Sequence, residues 1–598
     1  MPFGAEVREG GVRFRLWAPS AGLVELLPDD GPALPMDAVG DGWHETFSEG
    51  AAAGTTYSYR IDRCHHVPDP AARAQRDDVH GPSVVIDPEA FEWRHHAWRG
   101  RPWHEAVVYE LHVGTFSPEG TFDGARQRLD HLVDLGVTAI ELMPIGDFPG
   151  RRNWGYDGVL TFAPDTAYGS PDDLKRLVDA AHGRGVMVFL DVVYNHFGPD
   201  GNYLHRYAPD FFTDRFETPW GAAIDYGRRE VRDFAIHNAL YWLQEYRLDG
   251  LRLDAVHEIV DERTPHLLDE LAAAVRRDIG AERRVHLVLE NEHNEAGRLA
   301  RDVDGRPQAY TAQWNDDVHH ALHVLATGER EGYYADYADR PLEHLARCLS
   351  EGFAYQGEPF RQRDGAPRGT PSAELPPTAF VSFMQNHDQV GNRAFGERLG
   401  ALTEPRVRRA LSAVLLLAPQ PPILFMGEEW AASEPFLFFC DFHDELADAV
   451  REGRRKEFAS FAAFHDVQAR SSIPDPNAEA TFLRSRLDWD RVGEGEHEAW
   501  LEHYRELIAI RHREIVPRIP HLRAGAARAA HGGDGGLEVC WPLAGDASEL
   551  VLRANLAALP SDGRWAATTG RLLYASADAF APERSGLAPW SVSWYLTS

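Results

Sequence analysis

Between residues 107 and 426, short apolar runs alternate with longer amphipathic segments about eight times. The runs are 107–113, 139–145, 186–193, 250–254, 285–290, 309–314, 379–383 and 423–426. The helical segments between them include 122–135, 171–182 (with Ser170 placed as an N-cap), 229–246, 265–279 and 407–417. Continuous apolar runs suit strands buried on both faces, and strand–helix alternation at this count predicts a (β/α)8 TIM barrel of the α/β class. An open doubly wound sheet is the weaker reading, because no Gly-rich phosphate loop follows any run. The gap 315–377 predicts an inserted lobe, and 436–489 is longer than a simple loop requires. A helix over 499–513 is expected to close the barrel.

The flanks read differently. Residues 11–17 (GVRFRLW) alternate, and 24–27 and 56–61 are further strand candidates between Gly, Asp and Pro turns. They predict a small N-terminal β-sandwich over 1–95. The barrel, with its insertions, is expected over 96–515. Strand signals at 537–541, 549–554 and 592–596 predict a C-terminal β domain over 516–598. The Trp-, His- and Arg-rich stretch 93–103 is expected to be an interdomain surface.

The chain has 598 residues, and its charge is 61 − 93 = −32. That excess of acid argues against nucleic acid or anionic membrane as the main partner. It suits a neutral substrate as well as plain solubility. The four cysteines are far apart and form no CxxC pair, which argues against a disulfide framework or zinc ribbon and for a reducing compartment. The N-terminus has acids and glycines where a signal peptide needs an apolar core. The most apolar run, 413–426, is broken by Pro419, Pro421 and Pro422 and is too short to span a bilayer. A soluble, cytoplasmic protein is expected.

In a barrel, reactive groups stand at the C-terminal ends of strands. The third run ends in DVVYNH, the fourth reads GLRLDAVH, the fifth ends in LENE and the seventh in QNHD. Asp254, Glu290 and Asp388 are therefore expected at one mouth, with Arg252, His196 and His387 around them. Paired carboxylates in a sugar-sized cleft are the equipment of a glycosidase: one attacks the anomeric carbon and the other protonates the leaving oxygen. A retaining pair needs a spacing of about 5–5.5 Å, which neighbouring strands about 4.8 Å apart can meet. Arg252, two residues before Asp254, shares its face of the strand and would keep it ionised. Glu290 needs the opposite shift.

These four motifs, in this order, resemble the signature segments of the α-amylase superfamily, glycoside hydrolase family 13. The resemblance covers most of the chain, since a leading sandwich and a trailing β domain are usual there. It implies that Asp254 is the nucleophile, Glu290 the general acid/base and Asp388 a third carboxylate holding sugar hydroxyls. It also implies that Arg252, His196 and His387 support them. Finer stretches, 313–320, 425–441, 453–458 and 473–476, resemble the malto-oligosyltrehalose trehalohydrolase subfamily. Stretches 109–122 and 153–157 resemble that subfamily too, but are shared with branching and debranching enzymes. The implied reaction is hydrolysis of the α-1,4 bond next to the terminal trehalose of maltooligosyl-trehalose, downstream of a synthase that makes that end. Neither a metal nor a cofactor is implied. Substrate contact is extended by the resemblance to Tyr156, His257, Asn315, Asp316, Asp317, His319, Gln389 and Asn392.

Competing readings stand beside these. Asn195 occupies a position that binds calcium in many amylases, yet nothing nearby builds an oxygen cage, so a loop hydrogen bond is expected. His319, His320 and His323 read as one helix face rather than a metal site. Asn315 could cap a helix begun by Asp316 and Asp317. Trp154 and Trp314 could stack on sugar or fill the core, whereas stacking is favoured for Tyr156. Val256 stands before His257 where α-amylases often have Lys, which bears on amylase-style subsites. Glu292 shares the face of Glu290 if the strand continues. A glucan branching transferase and a catalytically dead, amylase-like binding protein are the alternative functions.

Overall fold

The computed structural model describes residues 2–460, 466–545, 547–561, 570–576, 579 and 586–597. Eight parallel strands close into a barrel. They are β1 (Val108–Leu111), β2 (Ala139–Leu142), β3 (Met187–Val192), β4 (Gly250–Leu253), β5 (His286–Leu289), β6 (Ala312–Trp314), β7 (Phe380–Phe383) and β8 (Pro422–Phe425). The sequential order is unbroken, and β8 pairs back onto β1. Every one of these strand residues is buried, as the continuous apolar runs require.

Alternation along the strands sorts the barrel interior into layers. Val108, Ala139, Met187, Phe189, Val288, Val381 and Phe383 pack together inside it. Two positions further along their strands, on the same face, stand Glu110, Glu141 and Asp191, with Arg252 paired opposite Asp191. The lower barrel is therefore apolar, and ionisable groups crowd the C-terminal mouth. Trp98 and Trp103 pack against the apolar interior cluster. The Trp103 ring lies 5.3 Å from His286, and its indole N–H donates to the Thr378 carbonyl at 2.8 Å. The Trp98 indole donates to Asp249 at 2.8 Å. The stretch expected to face another domain instead plugs the barrel floor, because the apolar interior needs a lid.

The helix Pro171–Gly183 begins with a reciprocal cap: the Ser170 hydroxyl accepts from the Asp173 amide at 3.2 Å, and the Asp173 carboxylate accepts from the Ser170 amide at 2.9 Å. The expected helix 122–135 is two helices, Phe122–Gln127 and Leu129–Leu135, meeting at Arg128, whose guanidinium packs on Trp489. The gap after β6 is not wholly an insertion. It opens with the barrel's own helix, Asp316–Thr327, followed by Pro341–Glu351 packed on it and the small hairpin Glu358–Pro359/Pro367–Arg368.

The N-terminal region is two antiparallel sheets. One is ordered Gly4–Arg8, Gly11–Trp17, Trp43–Ser48, Asp37–Gly40; the other is built on Val24–Pro28 and Thr56–Ile61. Phe14 and Tyr57 meet between the sheets at 4.8 Å. A buried ion cluster joins this region to the barrel helices, with Arg73 3.3 Å and Lys175 3.8 Å from Glu245. The C-terminal five-stranded sheet stacks Trp541 on Trp594 and bonds the Trp594 indole to the Ala413 carbonyl. Among the described residues, no helix is long and apolar enough to cross a membrane.

Candidate active site

Arg252, fully buried near the end of β4, organises the barrel mouth. One terminal nitrogen donates to Asp191 at 2.6 Å and to Asp254 at 2.7 Å; the other donates to Glu290 at 2.8 Å. Asp254 and Glu290 therefore share one planar guanidinium. Its aromatic underside is Trp314, 4.2 Å away, so Trp314 is a core platform rather than a sugar contact. Immediately after Asp254 the chain turns sharply. Ala255 takes φ +38°, a left-handed conformation that costs a side-chain-bearing residue about 1 kcal/mol. The turn aims the Ala255 amide at Glu290, 2.7 Å away.

The two carboxylates are pushed in opposite directions. Burial raises the Asp254 pKa, but the Arg252 charge and a 2.9 Å hydrogen bond from the Asn195 amide outweigh it, so the net shift is downward. Burial also raises Glu290. There the negative charges of Asp254, Asp388 and Asp316 reinforce it against Arg252, and Glu290 stands well above the ordinary carboxylate range. An ionised nucleophile beside a protonated acid is the charge state a retaining glycosidase needs. Side-chain exposure grades from 12% at Asp254 through 20% at Glu290 to 37% at Asp388, so Asp254 lies deepest and Asp388 at the opening.

A cleft of about 760 Å3, enough for several sugar rings, opens on Glu290 and Asp388 and reaches Ala255, the neighbour of the deeper Asp254. Its walls include His257, Glu290, Asp316, Asp388, Gln389 and Asn392. The Asn392 amide donates to Asp388 at 3.3 Å, and burial lifts Asp316 to about 7. Tyr156 is partly exposed, stacks on His387 and donates to Asp191 at 2.6 Å. His196 and His387 are buried beneath, His196 against the Tyr156 carbonyl at 3.0 Å.

Of the expected contacts, Tyr156, His196, Arg252 and His387 are not among the residues lining the cleft, and three more are turned away into other contacts. The Asn315 side chain is buried against the Gly352 carbonyl. Asp317 is buried in an ion pair with Arg368 at 2.7 Å and also accepts from Tyr337. His319 is buried against the Met384 carbonyl and the Tyr334 hydroxyl. The helix that starts at Asp316 turns successive side chains through about 100°, so only part of the run 315–319 can face the opening. Trp154 is core, stacked on Phe436. Glu292 is exposed on the rim, 3.7 Å from His257, and has no bond to Arg252, so Glu290 is the strand-end acid.

Two features escaped sequence reasoning. Trp220, at the tip of the hairpin Phe212–Thr218/Gly221–Ile224, stacks on His196 at 4.1 Å, lines the cleft and is 48% exposed. Its only local signal is an aromatic beside the turn glycine Gly221. The buried acids Glu110 and Glu141 sit inside apolar strands and carry no motif of their own.

Family comparisons agree with this architecture. Residues 2–88 match the carbohydrate-binding module 48 (isoamylase N-terminal domain), 47–210 the alpha amylase catalytic domain, and 524–594 a domain of unknown function. A protein of Deinococcus radiodurans named malto-oligosyltrehalose trehalohydrolase is 42% identical over 550 residues, 91% of this chain and 88% of that one. A namesake from Saccharolobus solfataricus is 38% identical, covering 86% and 87%. A 1,4-alpha-glucan branching enzyme of Pseudoalteromonas atlantica is 30% identical over 59% of this chain and 54% of its own. The crystal structure of a putative alpha amylase from Salmonella typhimurium superposes with a TM-score of 0.95 at 47% identity, covering 100% and 99%. On the closed barrel, the strand-end trio and these identities, the chain belongs to the malto-oligosyltrehalose trehalohydrolase family of the α-amylase superfamily, glycoside hydrolase family 13.

Proposed function

We propose that this glycosidase hydrolyses the α-1,4 bond adjacent to the terminal trehalose of maltooligosyl-trehalose, with retention at the cleaved carbon. Asp254 attacks the anomeric carbon while Glu290 gives its proton to the departing oxygen, and trehalose leaves with that proton. The remaining glucan is then an ester on Asp254. Glu290, now a carboxylate, takes a proton from water, and the oxygen of that water displaces Asp254. Each displacement inverts the carbon, so the two together retain it. Asp388, the most exposed of the three, holds sugar hydroxyls, and Tyr156, His257, Gln389 and Asn392 complete the substrate contacts.

The observation that carries the chemistry is the sharing of Arg252 by two carboxylates with opposite pKa shifts. The specificity is supported by the family to which the chain belongs. The substrate would come from a synthase that builds the trehalosyl end. The segments 1–95, 96–515 and 516–598 are proposed as the units of the chain. The buried free thiols Cys348, Cys440 and Cys540 support a reducing, cytoplasmic setting.

The test offers maltooligosyl-trehalose and the matching plain maltodextrin side by side. Free trehalose from the first, with little attack on the second, is expected. Equal attack on both would refute the specificity. Altered iodine staining of amylose without new reducing ends would point to branching, and no turnover of any α-glucan to a binding protein.

A further inference from the structure

Glu110 is a buried carboxylate that the proposed reaction does not use. It lies on β1, is 1% exposed, and spends both oxygens on one residue. One accepts from the His387 backbone amide at 3.0 Å and the other bonds His387 Nδ1 at 2.5 Å. A carboxylate this deep needs a cation, and the imidazole it clasps is the group that can supply one.

The other side of that ring meets the reaction centre. His387 Nε2 lies 2.8 Å from the Tyr156 hydroxyl and 3.4 Å from Asp388. The Tyr156 hydroxyl lies 2.6 Å from Asp191, which in turn holds Arg252 at 2.6 Å. A hydroxyl has one proton. When it donates to Asp191, the 2.8 Å contact with His387 is a hydrogen bond only if Nε2 carries a proton. With Nδ1 facing Glu110 as well, both ring nitrogens then carry protons.

We propose that Glu110 is a positioning residue: it holds His387 as an imidazolium, so that the Tyr156 proton points to Asp191 and Asp388 has a positive neighbour. The proposal rests on the reaction assigned above. The surroundings agree with it. The groups facing His387 are Glu110 and His112 from β1 and its end, Glu141 from β2, Tyr156 from the following loop, Asp191 from β3, Arg252 from β4 and Asp388 from its own helix. Burial disfavours the imidazolium, yet Asp388 and Glu110 outweigh burial and Arg252 and lift His387 to about 9. Burial keeps His112 neutral at about 4, and pushes Glu141 well above the carboxylate range, so neither supplies a competing charge.

The test is a cycle of Glu110→Gln, His387→Gln and the double variant, each assayed for trehalose release from pH 5 to 8.5. Glutamine removes the charge and keeps one of the two acceptor oxygens, so a constant loss from the broken hydrogen bond is added at every pH. Glu110→Gln should lose least in kcat/KM near pH 5, where Asp388 still favours the imidazolium and protons are plentiful. Between pH 5 and pH 8 it should lose a further tenfold or more. In the His387→Gln background the same change should have no effect at any pH. A loss equal at every pH, no loss at all, or a full effect without His387 overturns the proposal. Thermal unfolding of each variant identifies misfolding, and Glu110→Asp, which keeps the charge, should retain more activity at pH 8 than Glu110→Gln; the reverse order also overturns it. Because the unmodified enzyme is the reference, its failure to release trehalose would fault the assigned reaction instead.

Discussion

Replacing Arg252 with Leu removes the one guanidinium that holds Asp191, Asp254 and Glu290 at 2.6, 2.7 and 2.8 Å. Removing one partner of a buried ion pair costs about 3–5 kcal/mol, because the other charge is left uncompensated. Here three carboxylates lose the same cation, so the cost at alkaline pH should reach at least that range. The carboxylates can escape part of it by binding protons. In the enzyme burial raises Asp254, and Arg252, the Asn195 hydrogen bond and His196 together outweigh it; with Arg252, the largest of these, removed, burial is expected to prevail. The folded-state pKa then exceeds the unfolded value. Such a group contributes stability fully below the unfolded pKa and loses it as pH rises through the folded pKa. The deficit relative to the unmodified enzyme should therefore be small near pH 5 and grow towards pH 8. The assay is denaturant unfolding at several pH values, alongside trehalose release. Activity should collapse near neutrality, since a protonated Asp254 is no nucleophile. A deficit below about 1 kcal/mol, or one that does not change with pH, would refute the view of Arg252 as the hub of charge compensation.

Four further outcomes are expected. Asp254→Asn should lower kcat by about 10^4-fold or more with an unchanged circular dichroism spectrum; near-normal turnover would show the nucleophile lies elsewhere. The kcat/KM profile should keep its acid limb below the ordinary Asp range, because Asp254 is shifted down, and its alkaline limb well above the Glu range, because the protonated form of Glu290 is the active one. Glu290→Gln should leave a residual rate with no alkaline limb from that group, measured over pH 4–9. Trp220→Ala removes a ring stacked on His196 in the cleft. At about 0.5–1.5 kcal/mol per aromatic contact, KM should rise about 2- to 12-fold with kcat nearly unchanged, and an unaltered KM would exclude Trp220 from substrate contact.

The barrel and its reactive ends were legible from the chain alone, because both are local signals. A strand buried on two faces must be apolar throughout, and a residue at the end of such a run must face the mouth. Hence Asp254, Glu290 and Asp388 could be placed together without coordinates. The sandwich strands Gly11–Trp17 and Thr56–Ile61 were equally legible from alternation. Asn315, Asp317 and His319 show where this stops. They lie beside Asp316 in sequence, but helical rotation turns them into the core while Asp316 lines the cleft. Trp98 and Trp103 looked like surface by their polar neighbours, and only the open floor of a closed barrel explains why they are drawn inward.

What a single chain read in order determines is which groups each element presents and to which of its own faces. What only the tertiary structure decides is which distant groups meet: Glu110 with His387, 277 residues apart, or Trp220 with His196. Those meetings set the charges. Whether a carboxylate is ionised depends on the cations within a few ångström and on the water excluded around it, and neither is a property of the residues beside it in the chain.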